Sequence, residues 1–174
     1  MITLYPFAER IAAHLKARSQ TLAVAEASCG GLISAALLAV PGASAYYLGG
    51  VVVYTAKARE TLLQIPAPAM QGMRASTEPY ARLLAATVGE RCGADWALAE
   101  SGAAGPVGNR YGDAAGHVCI AVAGPVESAV TFETGLVARS ENMRSFAALA
   151  LGRLLHALED THQETRRPVS PVRG

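Results

Sequence analysis

The chain has 174 residues, 51% of them hydrophobic, with 15 Lys and Arg against 14 Asp and Glu. That is enough apolar surface for one good core, so a single domain is expected over residues 1–160 with a flexible tail over 161–174. Near-neutral charge argues against a general nucleic-acid binder, which needs a basic excess, and points to a small ligand or a protein partner.

In chain order, Leu4, Phe7, Ile11 and Leu15 recur on one helical face, predicting an amphipathic helix over about residues 3–18. The charges Glu9 and Arg10 set into that pattern make it no secretory signal. Thr21 to Ala25 reads as a short buried strand and Leu32 to Val40 as an alanine-rich helix. After the turn Pro41-Gly42-Ala43-Ser44, the β-branched run Gly49 to Tyr54 predicts a second strand. Ala56 to Leu63 reads as a short helix, and Thr77-Glu78-Pro79 supplies a cap, an acid and a proline in the order of a helix start, with the helix continuing to about Arg91. Asp95 to Glu100 is a third strand. His117 to Ala123 and Ser128 to Thr134 form a hairpin about Gly124-Pro125, and Glu141 to Leu158 is the last helix. Apolar runs are broken within about a dozen residues, too short for a bilayer of roughly 30 Å, so no membrane partner and a cytoplasmic location are expected.

This order predicts an α/β, three-layer α/β/α sandwich with a mixed, mostly parallel sheet. In such sheets ligands sit beyond the carboxyl ends of the parallel strands. Three loops are expected to meet there: Glu26 to Gly31, Tyr54 to Arg59, and the glycine-rich Ser101 to Gly112. Cys29, Cys92 and Cys119 are odd in number and widely spaced, so reduced thiols are expected. The histidines show no ligand spacing, and neither a metal nor a cofactor is called for.

Ala25 to Gly31, then Pro41 to Ser44, Gly49-Gly50-Val51-Val52-Val53-Tyr54, and Ser101-Gly102-Ala103-Ala104-Gly105-Pro106 with Gly116 beyond, resemble in combination the C-terminal domain of CinA. The similarity spans roughly Phe7 to Leu155. It implies hydrolysis of the amide of nicotinamide mononucleotide, or a related pyridine nucleotide, to acid and ammonia, in a homodimer or higher assembly. The family's first motif reads Ala-Glu-Ser-Cys-Thr-Gly-Gly with its serine as nucleophile, and without gaps that position is Ala27 here. The family's lysine, five residues after the motif tyrosine that matches Tyr54, is Arg59 here.

Arginine stays protonated and is no general base. Two readings follow. In one, Ser28 is the nucleophile, Lys57 or Tyr54 assists, and backbone N–H groups around Gly30 and Gly31 hold the oxyanion. In the other, the pocket survives without turnover and binds a nucleotide-like ligand or a protein partner. Beside its catalytic reading, Ser28 would serve equally as a helix cap, and Lys57 as a surface lysine. Cys29 is a lesser candidate, Glu26 would orient a water or an amide, and Arg59 would grip a phosphate or carboxylate. Ser101, Gly102, Gly105 and Pro106 would shape a ligand-facing backbone.

Overall fold

The computed structural model describes residues 3–166. Five helices and five strands follow in order: α1 Tyr5–Ala17, β1 Leu22–Glu26, α2 Leu32–Leu38, β2 Tyr47–Val52, α3 Ala56–Leu63, α4 Glu78–Cys92, β3 Trp96–Gly102, β4 His117–Ala123, β5 Ser128–Glu133 and α5 Arg139–Arg166. The sheet order is β2-β1-β3-β4-β5. β1 pairs parallel with β2 and β3, while β4 is antiparallel to both its neighbours, so β4 alone runs against the other strands. The expected mixed, mostly parallel sandwich is the one observed.

The two faces of the sheet carry different side chains, and this sets the layers. Leu22, Val24, Leu98, Val118 and Ile120 pack with α1, α2 and α5 through Ile11, Leu15, Ile33, Leu37, Phe146 and Leu151. The opposite face is nearly all alanine: Ala23, Ala25, Ala97, Ala99 and Ala121 meet Leu63, Tyr80, Leu84 and Val88 of α3 and α4. Small residues let α4 lie close on the strands. Because both faces are covered, β1 and β3 read as continuous apolar runs rather than alternating ones.

Capping fits the sequence. Thr55 opens α3 by accepting from Ala58 N, and Thr77 opens α4 by accepting from Tyr80 N. Gly93 closes α4 in the left-handed region at φ 63°.

Three boundaries correct the sequence reading. β2 begins at Tyr47, two residues before the expected Gly49, because main-chain pairing with Leu22 fixes its start. β3 runs through Ser101 and Gly102, which were expected in a loop, because both pair with β4. α5 continues past Leu158 to Arg166, so the expected flexible tail is helical over 161–166. Buried Leu154, Leu155 and Leu158, and Arg18 bonded to Leu158 O and Thr161 Oγ1, anchor that end of the helix. No proline interrupts the chain between Arg139 and Pro168. The rest of the expected tail lies outside the described residues. Among those residues no helix is long and apolar enough to cross a membrane.

Cys29 and Cys119 are buried and Cys92 is exposed, with all three free. Burial, and then the charges of Glu100 and Glu26, push the Cys29 thiol well above its ordinary value. One thiol per chain, Cys92, is therefore expected to react promptly with Ellman's reagent in the folded protein and all three after unfolding. Fast reaction of Cys29 would contradict the packing.

Candidate functional site

The three loops that leave the carboxyl ends of β1, β2 and β3 converge. They enclose a cleft of about 730 Å³ bordered by Ala27 and Ser28, by Tyr54 and Arg59, and by Ser101, Gly102, Asn109, Arg110 and Tyr111. A smaller hollow of about 210 Å³ adjoins it, sharing Ser28, Tyr54, Gly102 and Asn109 and adding Gly105 and Arg139.

Behind the cleft lie two buried carboxylates near the ends of β1 and β3. β1 ends Leu-Ala-Val-Ala-Glu and β3 carries Trp-Ala-Leu-Ala-Glu, and both glutamates, Glu26 and Glu100, are fully buried. Glu26 accepts from Gly31 N at 2.9 Å, Ile33 N at 3.1 Å, Ser34 N at 2.8 Å and Ser34 Oγ at 2.6 Å. It is the N-terminal cap of α2, supplied from outside that helix. Glu26 was expected to face substrate; its four bonds hold it to α2 instead. The same geometry consumes Gly31 N–H, one of the expected oxyanion donors.

Glu100 reaches across from the neighbouring strand to the loop after β1. Its Oε1 accepts from Ala27 N at 2.6 Å and Cys29 N at 2.7 Å, and its Oε2 accepts from Ser28 Oγ at 2.5 Å. Burial raises the pKa of this carboxyl, more than its hydrogen bonds from Cys29, Ser28 and Ala27 lower it. Ser28 is itself only 4% exposed. Its hydroxyl is thus bound to Glu100 rather than capping α2.

The other expected site residues divide. Arg59 is 8% exposed, borders the cleft, and donates from Nε to Ile65 O at 3.3 Å. Among the described residues it has no carboxylate partner. Beside it stands Tyr80, whose hydroxyl is raised by burial despite the neighbouring guanidinium. Tyr54 borders both hollows, and its hydroxyl accepts from Arg139 Nη2 at 2.9 Å while the same guanidinium stacks 5.6 Å from the ring centroid. Arg139 also donates to Gly105 O at 3.0 Å, tying α5 to the loop after β3. Ser101 Oγ accepts from Ser76 N at 3.2 Å. Gly102 has no room for a side chain, since a Cβ would lie 2.3 Å from His117 O.

Lys57, Cys29 and Pro106 are corrections. Lys57 is exposed on the outer side of α3 and borders neither hollow, because a two-residue step, about half a helical turn, points Arg59 inward and Lys57 out. Cys29 is fully buried in the core beneath α2, away from both hollows. Pro106 is exposed and borders neither, although its neighbour Gly105 lines the smaller one. Gly30 is exposed in a left-handed turn at φ 66°.

Sequence reading missed Met70, Met73, Arg74, Ser76 and Tyr80, which form one wall. The first four sit between α3 and α4 and Tyr80 in the first turn of α4, where nothing in the local pattern shows which way the chain folds back. Glu100 did carry a signal, since a charge ending an apolar strand repeats the Ala-Glu ending of β1.

The loop bearing Arg110 and Tyr111 is held by a clamp. Asp113 takes both Nη groups of Arg74, at 2.5 and 2.9 Å, and Asn109 Nδ2 at 2.7 Å. The Arg74 bonds hold its pKa down at about 2. His117 bonds Glu133 through Nδ1 and Ser76 O through Nε2. Desolvation lowers its pKa, but the bonds to Glu133 and Ser76 and the charges of Asp113 and Glu133 outweigh it, so the net shift is upward. The signs define a window. Asp113 contributes stability above its unfolded value of about 3.9, lost as pH falls through about 2. His117 contributes fully below its unfolded value of about 6.5 and loses this as pH rises through its raised folded value. The melting-temperature difference between wild type and His117→Asn is therefore expected to be largest near pH 5 and to shrink at alkaline pH. A difference that grows with pH would refute this.

Taken together, these elements define an α/β/α sandwich with an arginine-lined cleft at the carboxyl edge of its parallel strands. The CinA C-terminal domain model matches residues 4–158. The chain belongs to the CinA C-terminal domain family. It is 43% identical over 111 residues to a CinA-like protein of Prochlorococcus marinus (strain MIT 9313), covering 64% of this chain and 26% of that protein. It is 35% identical over 148 residues to one from Chlorobium limicola, covering 82% and 34% respectively. The chain thus spans about a quarter to a third of the length of these relatives. Among solved structures, a CinA superfamily protein from Klebsiella pneumoniae 700603 superposes with a TM-score of 0.85 at 28% identity, covering 91% of this chain and 99% of that one. The competence/damage-inducible protein CihA of Agrobacterium tumefaciens gives 0.79 at 27%, covering 90% and 95%.

Proposed function

We propose that the cleft binds a small phosphorylated ligand with a flat ring, of the pyridine-nucleotide kind, and hydrolyses its amide with Ser28 as nucleophile. One observation carries the ligand class. Three guanidinium groups, from Arg59, Arg74 and Arg110, line the cleft with Tyr54, Tyr80 and Tyr111, and no Asp or Glu is among its lining residues. Arg74 is already paired with Asp113 and Arg110 is exposed, but Arg59 is buried with no carboxylate partner among the described residues, which is costly until an anion joins it, and guanidinium forks suit phosphate. Ser28 supports the chemistry because it borders both hollows.

A second reading, binding without turnover, is favoured by Ala27 and Arg59. Both border the cleft where the family motif has serine and lysine, and neither a methyl nor a permanent cation can take a proton. Ammonia release from nicotinamide mononucleotide, with Ser28→Ala as control, separates the two. Turnover that the control lacks supports hydrolysis; saturable calorimetric binding with no ammonia supports the silent pocket; neither result would leave the ligand class wrong.

A further inference from the structure

We propose that Glu100 is the general base of this site, so that a Ser28–Glu100 pair replaces the serine and lysine of the family motif. This rests on the reading of Ser28 as nucleophile. Among the described residues, Glu100 is the hydrogen-bond partner of Ser28 Oγ. The other proton acceptors are elsewhere engaged. Lys57 points away from the cleft, Tyr54 Oη is held by Arg139, and His117 Nε2 is bonded to Ser76 O.

The carboxylate is aimed by the backbone. Ala27 N and Cys29 N, on either side of Ser28, both donate to Oε1 and fix the carboxyl plane, which turns Oε2 to the hydroxyl between them. Three consecutive residues therefore wrap one carboxylate, with the hydroxyl towards the cleft and the base sealed behind it. Burial raises the basicity of Glu100, as a proton acceptor working near neutral pH requires. Burial first, and then the charges of Glu100 and Glu26, push the adjacent Cys29 thiol well above its ordinary value and out of competition.

The steps balance. Ser28 Oγ bonds to the amide carbonyl carbon as its proton passes to Glu100 Oε2. The protonated carboxyl then gives that proton to the departing nitrogen, the C–N bond breaks, and ammonia leaves an acyl ester on Ser28. Water attacks the ester as Glu100 takes its proton, and the C–O bond to Ser28 breaks as the proton returns to Oγ. The sum is amide plus water to acid plus ammonia.

The test needs a readout that does not depend on the natural amide. An alkyl fluorophosphonate reports nucleophile activation directly: the Oγ–P bond forms, the P–F bond breaks, fluoride leaves, and the serine proton goes to the base. Labelling is followed by peptide mass spectrometry on wild type, Ser28→Ala, Glu100→Gln and Glu100→Asp, with melting temperatures to verify folding. Gln keeps an oxygen for the two backbone N–H groups but accepts no proton; Asp keeps the charge but withdraws it from Oγ. Wild type is expected to be labelled on Ser28, with both Glu100 variants slowed on the order of 100-fold or more, the range of general-base effects. An unlabelled Ser28 in wild type overturns the pair, and so does a folded Glu100 variant labelled at the wild-type rate. If Glu100→Gln does not fold, Glu100→Asp decides. A labelled Ser28 without ammonia from nicotinamide mononucleotide leaves the pair standing and removes the proposed substrate. Ammonia release that survives Ser28→Ala removes the pair and leaves the substrate.

Discussion

Glu26→Ala is expected to cost about 3–5 kcal/mol of stability, which in a chain of this size lowers the melting temperature by roughly 10–15 °C. The reason is the number of donors that one carboxylate serves. Gly31 N, Ile33 N and Ser34 N all point at it, and α2 has only seven residues with which to compensate. A buried donor left without an acceptor costs about 1–3 kcal/mol, and three together exceed any gain from relieving the repulsion between Glu26 and Glu100. Glu26→Gln should recover only part of the loss, since its amide nitrogen would oppose N–H groups that now meet Oε2. Thermal unfolding of the three proteins measures this. A Glu26→Ala protein as stable as wild type but weakened in ligand binding would return Glu26 to the substrate side.

Arg59→Met is expected to act in the opposite way, weakening affinity for a phosphorylated ligand by roughly 10- to 100-fold without lowering the melting temperature of the free protein. A hydrogen bond to a charged group contributes about 1.5–3 kcal/mol, and each 1.4 kcal/mol is tenfold in affinity. Stability is spared because Arg59 is buried without a carboxylate partner among the described residues, and its contacts with Ile65 O and the Tyr80 hydroxyl offset little of the cost of burying its charge. Methionine fills the aliphatic stem's place and removes a desolvated charge. Arg59→Lys should fall between, keeping the charge but losing the planar fork. Calorimetric titration with nicotinamide mononucleotide, beside thermal melts, checks both halves. Unchanged affinity with a lowered melting temperature would make Arg59 a structural residue.

Much of the architecture was legible because burial on two faces leaves a plain mark. The apolar runs of β1 and β3, the caps at Thr55 and Thr77, and the glycine-rich stretch after Glu100 each announce an element, and the strand order of an α/β chain then brings their loops to one edge. Side-chain direction was harder to read. Lys57 and Arg59 are two residues apart on α3, and only the helix's phase against α4 decides which of them enters the cleft. Glu26 looked like a group facing a ligand, since sequence shows a carboxylate at a strand end but not the three N–H groups that turn towards it. Glu100 stood out as a charge in an apolar strand, but its partners did not, since they lie more than seventy positions earlier, on a loop brought to it by the pairing of β1 with β3.

Arg139 begins the last helix, yet its guanidinium fastens Tyr54 to Gly105 at the mouth of hollows whose floor starts with the first strand. On the ribosome, a nascent chain lacking that final segment would have the two hollows without this latch. The contacts that join Tyr54 to Gly105 at this mouth are therefore completed only once synthesis has passed the start of the fifth helix.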